Sequence, residues 1–299
     1  MGKRVVLATS TGCIDYGPER YKNLGIEIVR ITVCYGGKEY LEGLDLNPKE
    51  FFEMEQKLKY PEEALPYSAM PSIEYIQKTY EKLIADGVEE VFVITLSSYL
   101  GGTLNELRLV SEEYKDRLKF HFVDTKTTCF CEGMIQIQCA ELINKGVDSE
   151  TILKELNWSI AHEQFIGICT DLKFLIYNGR LKGGKAFISK ALNICPVMHF
   201  DKEGVIDSFA TAIGAKAGAI KAIQEVKKII GDRDPKDYYL WHNYAAEGSA
   251  QILKELEGKY GLVCNHEDVV GSPVTGCHTG PGLVSYGLFL KRRVDEPLE

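Results

Sequence analysis

The sequence predicts an α/β protein of two domains. Residues 1–160 read as an N-terminal three-layer α/β/α domain on a mainly parallel sheet, and 161–299 as a C-terminal α+β domain with a mixed sheet. Three observations lead there. The chain has 299 residues, more than a typical single domain. In its first half, short apolar runs rich in β-branched residues alternate with segments of helical periodicity, the pattern of βαβ units. In its second half, Cys195 to Phe200 and Val205 to Thr211 flank Asp201-Lys202-Glu203-Gly204, a hairpin signature.

Taken in order, Arg4 to Ala8 is a strand that runs into a hydroxyl-rich turn, Thr9-Ser10-Thr11-Gly12-Cys13-Ile14-Asp15. Ile26 to Val33 reads as one extended stretch, turned by Gly36-Gly37. Asn47-Pro48-Lys49-Glu50 opens a helix, with Asn47 as cap, Pro48 at the first helical position and Glu50 complementing the dipole. Pro61 and Pro66 bound an irregular stretch leading to Tyr67-Ser68-Ala69-Met70-Pro71-Ser72. Ser72 caps the next helix, whose inner face is Ile73, Ile76, Tyr80, Leu83 and Ile84 and which Gly87 ends.

The first half is organised around a single strand-to-helix turn. Val91 to Leu96 has the composition of a buried strand, and Leu104 to Val110 reads as helix. Between them lies Ser97-Ser98-Tyr99-Leu100-Gly101-Gly102-Thr103, and Thr103 with Glu106 fits a capping box. A glycine turn from a strand into a helix N-terminus is a good place to hold an anion. An ordinary hydroxyl-capped βα turn has the same turn chemistry. Phe120 to Val123 is another strand, ending in Asp124-Thr125-Lys126, and helices come next from Glu132 to Lys145 and from Ser149 to about His162.

Beyond the boundary come a strand at Phe165 to Cys169, a short helix at Asp171 to Tyr177 and a glycine-rich basic loop from Asn178 to Lys185. After the hairpin, Ala215 to Ile230 is a helix, Tyr238 to His242 a strand and Ala245 to Tyr260 the last clear helix. Gly276-Cys277-His278-Thr279-Gly280-Pro281-Gly282 then precedes a strand at Leu283 to Phe289.

Composition excludes several classes. The net charge of −8 argues against a general nucleic-acid surface. No apolar run is long enough for a membrane span, and the apolar stretch after Lys3-Arg4 is too short for a signal peptide. The nine scattered cysteines therefore read as reduced, mostly buried thiols of a cytoplasmic protein. Cys129-Phe130-Cys131 is too close-set for a zinc knuckle, and GxGxxG, GxSxG, HExxH and CxxC do not occur. Gly179 to Ala186 reads G-x-x-x-x-G-K-A, but a nucleotide P-loop needs a hydroxyl after the lysine and a strand before the loop. Leu172, Leu175 and Ile176 instead have helical spacing. No cofactor, metal site or catalytic residue is expected of this chain.

Taken together, the loops resemble the DegV family of bacterial fatty-acid-binding proteins. The family's Asp-Ser-Thr turn is met by Thr9-Ser10-Thr11, without the Asp. Its Thr-Ser-Gln-Pro-Ser motif aligns with Ser68-Ala69-Met70-Pro71-Ser72. Its Ser-Ser-x-Leu-Ser-Gly-Thr motif aligns with Ser97 to Thr103, with Gly101 in place of the third serine. Asp124-Thr125-Lys126, Asn178-Gly179-Arg180 and Leu192-Asn193-Ile194-Cys195-Pro196 stand for three further motifs, and His278 to Gly282 keeps His-Thr-Gly-Pro-Gly intact. The match runs over nearly the whole chain.

The resemblance implies one long-chain fatty acid clamped between the domains, its tail in an apolar tunnel and its carboxylate held by hydroxyls and the histidine loop. It also implies a partner: a separate ATP-dependent fatty acid kinase that makes the acyl phosphate for phospholipid synthesis. Membrane contact would be transient at most. Residue by residue, the ligand set becomes Ser68, Ser97, Ser98, Arg180, His278 and Thr279. The chemistry is consistent. A C16 tail gains on the order of 12 kcal/mol gross at about 0.8 kcal/mol per CH₂, and a buried carboxylate needs donors. Each residue also has a plain reading: Ser68 as a polar loop residue, Ser97 closing its strand, His278 bonded to backbone, Arg180 as a solvated charge. The departures at Ser10, Ala69, Met70, Gly101 and Cys195 are expected to reshape the pocket mouth. Phe209-Ala210-Thr211 lacks a basic residue that many relatives carry nearby, which bears on kinase docking. The competing reading is an esterase or thioesterase in which Ser98 or a cysteine is the nucleophile and His278 the base.

Overall fold

The computed structural model describes residues 2–59, 64–181, 194–293 and 296–298. Through the first half the elements run β1 (Lys3–Thr9), β2 (Ile26–Val29), β3 (Thr32–Tyr35), β4 (Lys38–Leu41), α1 (Pro48–Lys57), β5 (Tyr67–Ala69), α2 (Ile73–Ala85), β6 (Val88–Thr95), α3 (Thr103–Ser111), β7 (Lys119–Asp124), α4 (Cys129–Asn144) and α5 (Ser149–His162). The second half continues with β8 (Gln164–Cys169), α6 (Lys173–Tyr177), β9 (Ile194–Phe200), β10 (Ile206–Ile213), α7 (Ala215–Ile230), β11 (Tyr238–Tyr244), α8 (Gln251–Tyr260), β12 (Val269–Val270), α9 (Pro273–Thr279) and β13 (Leu283–Leu290).

The alternation of strand and helix gives the expected parallel sheet, in the order β2-β1-β6-β7. The second-half strands form a mixed sheet, β10-β9-β8-β13-β11-β12, antiparallel except where β12 joins β11. The hairpin β9–β10 is the one expected around Asp201 to Gly204. A small antiparallel sheet, β4-β3-β5, was not foreseen.

That third sheet corrects the single stretch read over Ile26 to Val33. The backbone N–H of Arg30 donates to Tyr75 Oη, and that of Ile31 to Ser10 Oγ. The ladder therefore breaks between β2 and β3, and β3 joins a different sheet. Segment 67–69, to which the sequence assigns no strand, pairs with β3 and brings Ser68 opposite Val33.

Capping chemistry is confirmed at two helices and corrected at a third. Asn47 Oδ1 accepts from the Glu50 N–H at 3.0 Å, and Ser72 Oγ from the Tyr75 N–H at 3.2 Å. At α3 the cap is Gly102, which has no side chain, and Thr103 is already the first helical residue. On α2, Ile76, Tyr80 and Leu83 are buried as expected, but Ile73 in the first turn is exposed. α8 begins at Gln251 rather than Ala245, because Gly248 takes a positive φ of 82° and interrupts the helix.

The packing has a five-layer order. Helices α2 and α3 cover the outer face of the parallel sheet through Ile76, Tyr80, Leu104 and Leu107. Helices α7 and α8 cover the outer face of the mixed sheet through Ala219, Ile223, Leu253 and Leu256. Helix α4 lies between the sheets, touching β1 and β6 on one side and β13 on the other. Every residue from Cys129 to Ile137 is buried, as a helix enclosed on all sides requires. One apolar core therefore joins Phe92 and Ile94 of the first sheet, Phe130 and Ile135 of α4, and Phe165 and Trp241 of the second. Glu132, also on α4, is buried, and accepts from Thr9 Oγ1 at 2.5 Å, Thr11 Oγ1 at 3.1 Å and Gln136 Nε2 at 2.7 Å. The first hydroxyl-rich turn is thus spent on α4. All nine cysteines are free and eight are buried. No helix among the described residues is long and apolar enough to cross a membrane.

Candidate functional site

A cavity of about 180 Å³ opens where the halves meet. Its walls are apolar: Phe165, Leu175, Met198, Phe200 and Leu283 come from the second half, Ile31 and Leu96 from the first. Its polar groups gather from Ser68 on β5, the Gly101-Gly102-Thr103 start of α3, Arg180, and His278 on α9.

His278 owes its place to a helix that the glycine pattern concealed. Ser272 Oγ accepts from the Thr275 N–H at 3.2 Å and Pro273 takes the first helical position, so α9 has a standard start. His278 lies in its last turn. Ser68 Oγ and His278 Nε2 are 2.9 Å apart, a hydrogen bond between residues from opposite halves. His278 Nδ1 is buried and has no hydrogen-bond partner among the described residues. Burial, and secondarily the positive charge of Arg180, push the imidazole pKa down to about 4. The ring is therefore neutral at pH 7, with one nitrogen donating and the other accepting.

Arg180 Nε donates to Leu100 O at 3.1 Å and Nη1 to Asn178 O at 2.7 Å. The guanidinium thus fastens the turn before α3 to the second half. Backbone carbonyls do not cancel its charge, and among the described residues it pairs with no carboxylate. With the N-terminus of α3 beside it, this end of the cavity favours an anion. Thr279 lines the cavity, but its hydroxyl donates to Thr275 O at 3.1 Å.

Of the six residues expected to bind ligand, the structure brings Ser68, Arg180, His278 and Thr279 to the cavity and leaves Ser97 and Ser98 outside it. Ser97 is buried, and its Oγ donates to Gly204 O at 2.7 Å. That bond latches the turn before α3 onto the β9–β10 hairpin. Gly204 has a φ of 83°, and a Cβ there would lie 2.3 Å from Ser97 Oγ. Ser98 is exposed, and its N–H donates to Asp124 Oδ1 at 3.3 Å. Among the departures from the motifs, Ala69, Met70 and Gly101 do line the cavity. Ser10 is bound to Ile31, and Cys195 packs on the outer face of the mixed sheet, so neither reshapes the mouth.

Two lining hydroxyls were missed, Thr128 and Thr275, whose Oγ1 atoms are 3.4 Å apart. Thr275 lies one helical turn before His278, a spacing visible only once α9 is known. The near-miss P-loop lies, from Lys182 onward, outside the described residues, as do Pro61, Leu192 and Asn193. Helix α6 leads into it, which is not the strand that a P-loop requires.

The His278 shift makes a prediction. An imidazole with a folded pKa below its unfolded value of about 6.5 contributes full stability above that value. The contribution is lost as pH falls toward 4, because the unfolded chain takes up the proton first. Urea midpoints measured between pH 7 and 4.5 should therefore fall less steeply for His278→Gln than for the unmodified protein. Equal slopes would show that the ring is not held neutral.

A sequence model described as "Uncharacterised protein, DegV family COG1307" matches residues 5–291. The chain belongs to the DegV family. A DegV domain-containing protein of Clostridium acetobutylicum is 28% identical over 291 residues, 97% of this chain and all of that one. The crystal structure of DegV from Bacillus subtilis, described as a fatty acid binding protein, has a TM-score of 0.82 and 26% identity, covering 97% of this chain and all of that one. A fatty acid binding DegV family protein from Streptococcus agalactiae shares the fold, with a TM-score of 0.85 at 24% identity over 98% of this chain and all of that one. The two-domain architecture expected from sequence is the one DegV structures have.

Proposed function

We propose that this protein binds one long-chain fatty acid between its halves, with the tail along the apolar walls and the carboxylate at Ser68, His278 and Arg180. The observation that carries this reading is the Ser68–His278 pair at the polar end of an apolar cavity. The fatty-acid binding of the Bacillus subtilis relative supports it. A carboxylate needs donors wherever it leaves water. Ser68 Oγ–H, an imidazole N–H and the guanidinium are donors, and Thr279 supplies wall rather than donor. The protein then acts as a cytoplasmic carrier that presents the carboxylate to a separate ATP-dependent kinase. The chain's one P-loop-like segment ends in Ala186 where magnesium binding needs a hydroxyl.

The esterase reading loses its support in the geometry. The hydroxyl beside His278 belongs to Ser68, not Ser98. Among the described residues no carboxylate orients His278 Nδ1 to fix a catalytic tautomer, and a pKa of about 4 makes the ring a weak base.

Native mass spectrometry of the protein as expressed, followed by denaturing extraction, tests the proposal. One fatty acid per chain is expected, or uptake of one equivalent of added palmitate or oleate, with no hydrolysis of acyl esters. Protein that neither carries nor takes up a fatty acid would refute it.

A further inference from the structure

A second cluster lies on the far side of the mixed sheet. Trp241 of β11 points into the shared core, so His242, next along the strand, points to the opposite face. There it meets Glu257 of α8 and Cys264 of the loop after that helix. One ligand atom from each of the three residues lies within 4.8 Å of the others. His242 Nε2 faces Glu257 Oε1 at hydrogen-bond distance, with Cys264 Sγ 3.6 Å away. A tetrahedral ion with Zn–S near ~2.3 Å and Zn–N near ~2.0–2.1 Å sets those two atoms about 3.6 Å apart.

The surroundings match what a metal-bound histidine needs. His242 Nδ1 lies 2.7 Å from Asp268 Oδ1, the carboxylate partner that fixes ring orientation and tautomer. Asp268 is itself held, by the His242 backbone N–H at 3.3 Å and by Lys254 Nζ at 2.6 Å. Tyr286 Oη donates to Glu257 Oε1 at 2.8 Å. A thiolate, an imidazole and a carboxylate are the donor types zinc takes.

We infer that His242, Glu257 and Cys264 bind one zinc ion, with water in the fourth position. Without the ion, both ring nitrogens face carboxylates, so both carry protons. The ion displaces the Nε2 proton and the thiol proton, and the net charge of the cluster is unchanged. Zinc then ties β11, the end of α8 and the 261–268 loop together. This site lies away from the cavity and is independent of the lipid reading.

Full-length protein, stripped with chelator and dialysed against zinc chloride, is analysed for metal content and thermal denaturation. Stoichiometric zinc and a raised Tm are expected. Cobalt loaded in its place should give the thiolate-to-cobalt charge-transfer band. Cys264→Ala should lose both the zinc and the band, and because Cys264 is only partly buried the variant should remain folded. Asp268→Asn should weaken zinc binding roughly 10- to 100-fold. Should Cys264→Ala fail to fold, the cobalt spectrum of the unmodified protein still decides the point. No band, or equal zinc in the unmodified protein and Cys264→Ala, would show that the cluster is a protonated ion-pair network only.

Discussion

Ser68→Ala and His278→Ala should each weaken fatty-acid binding by roughly tenfold to a hundredfold. Each removes a hydrogen-bonding partner at the charged end of the ligand, worth about 1.5–3 kcal/mol, and each decade of affinity is about 1.4 kcal/mol. The 2.9 Å contact between them makes their effects non-additive, so the double variant should lose less than the sum. Ser98→Ala, exposed and outside the cavity, is the control and should bind normally. A fatty alcohol of equal chain length should discriminate little among all of these, because it has no charge to satisfy. Titration of acid and alcohol against each variant measures this. Parallel losses for acid and alcohol would mean that the pair shapes the tunnel only. Unchanged acid affinity would move the head group elsewhere.

Trp241→Ala should be the most damaging single truncation of the core. The indole is fully buried and packs edge-on against Phe130 of α4, ring centroids 5.4 Å apart. Its Nε1–H donates to Asn243 Oδ1 at 3.0 Å. Gly287 on the neighbouring strand makes room for the ring, since a Cβ there would come within 2.2 Å of it. Removing so large a buried ring costs about 3–5 kcal/mol, which for a chain of this size lowers Tm by on the order of 10 °C. Because the ring joins α4 to the mixed sheet, both halves should melt together at the lower temperature. A fall confined to one half, seen as a second transition by calorimetry, would contradict a shared core.

The reading of α7 shows what local sequence could supply. Its ends at Ala215 and Ile230 were legible because Gly214 and Gly231 bound it and its apolar residues keep helical spacing. Helix α9 was hidden for the opposite reason. Gly276 looks like a turn residue, yet it is helical and is glycine because the rings of Phe51 and Phe52 press on it, within 2.5 and 2.7 Å of where a Cβ would sit. That contact is made by α1, some two hundred residues earlier in the chain. Strand β5 was illegible too, because a three-residue strand exists only through its partner. At the cavity, motif spacing found turns that line it, but on the turn before α3 it did not tell which residues face the cavity. Ser97 and Ser98 are adjacent in sequence, yet one is spent on Gly204 and the other is exposed.

Helix α4 bears on how a guest could enter or leave. A clamp that works by swinging two lobes apart must expose whatever lies at its hinge. Here the place of a hinge is filled by a helix whose first nine residues are all buried. Parting the lobes would wet that surface, at about 25 cal/mol for every Å² of it. Rigid-body opening is therefore disfavoured, and traffic falls to small local movements at the rim. The rim has the material for them: paired glycines at Gly101 and Gly102, and Met70, half exposed and resting its sulfur close to Gly102. Exchange of a molecule held there should then be timed by the breathing of a few loop residues, while the two lobes remain joined.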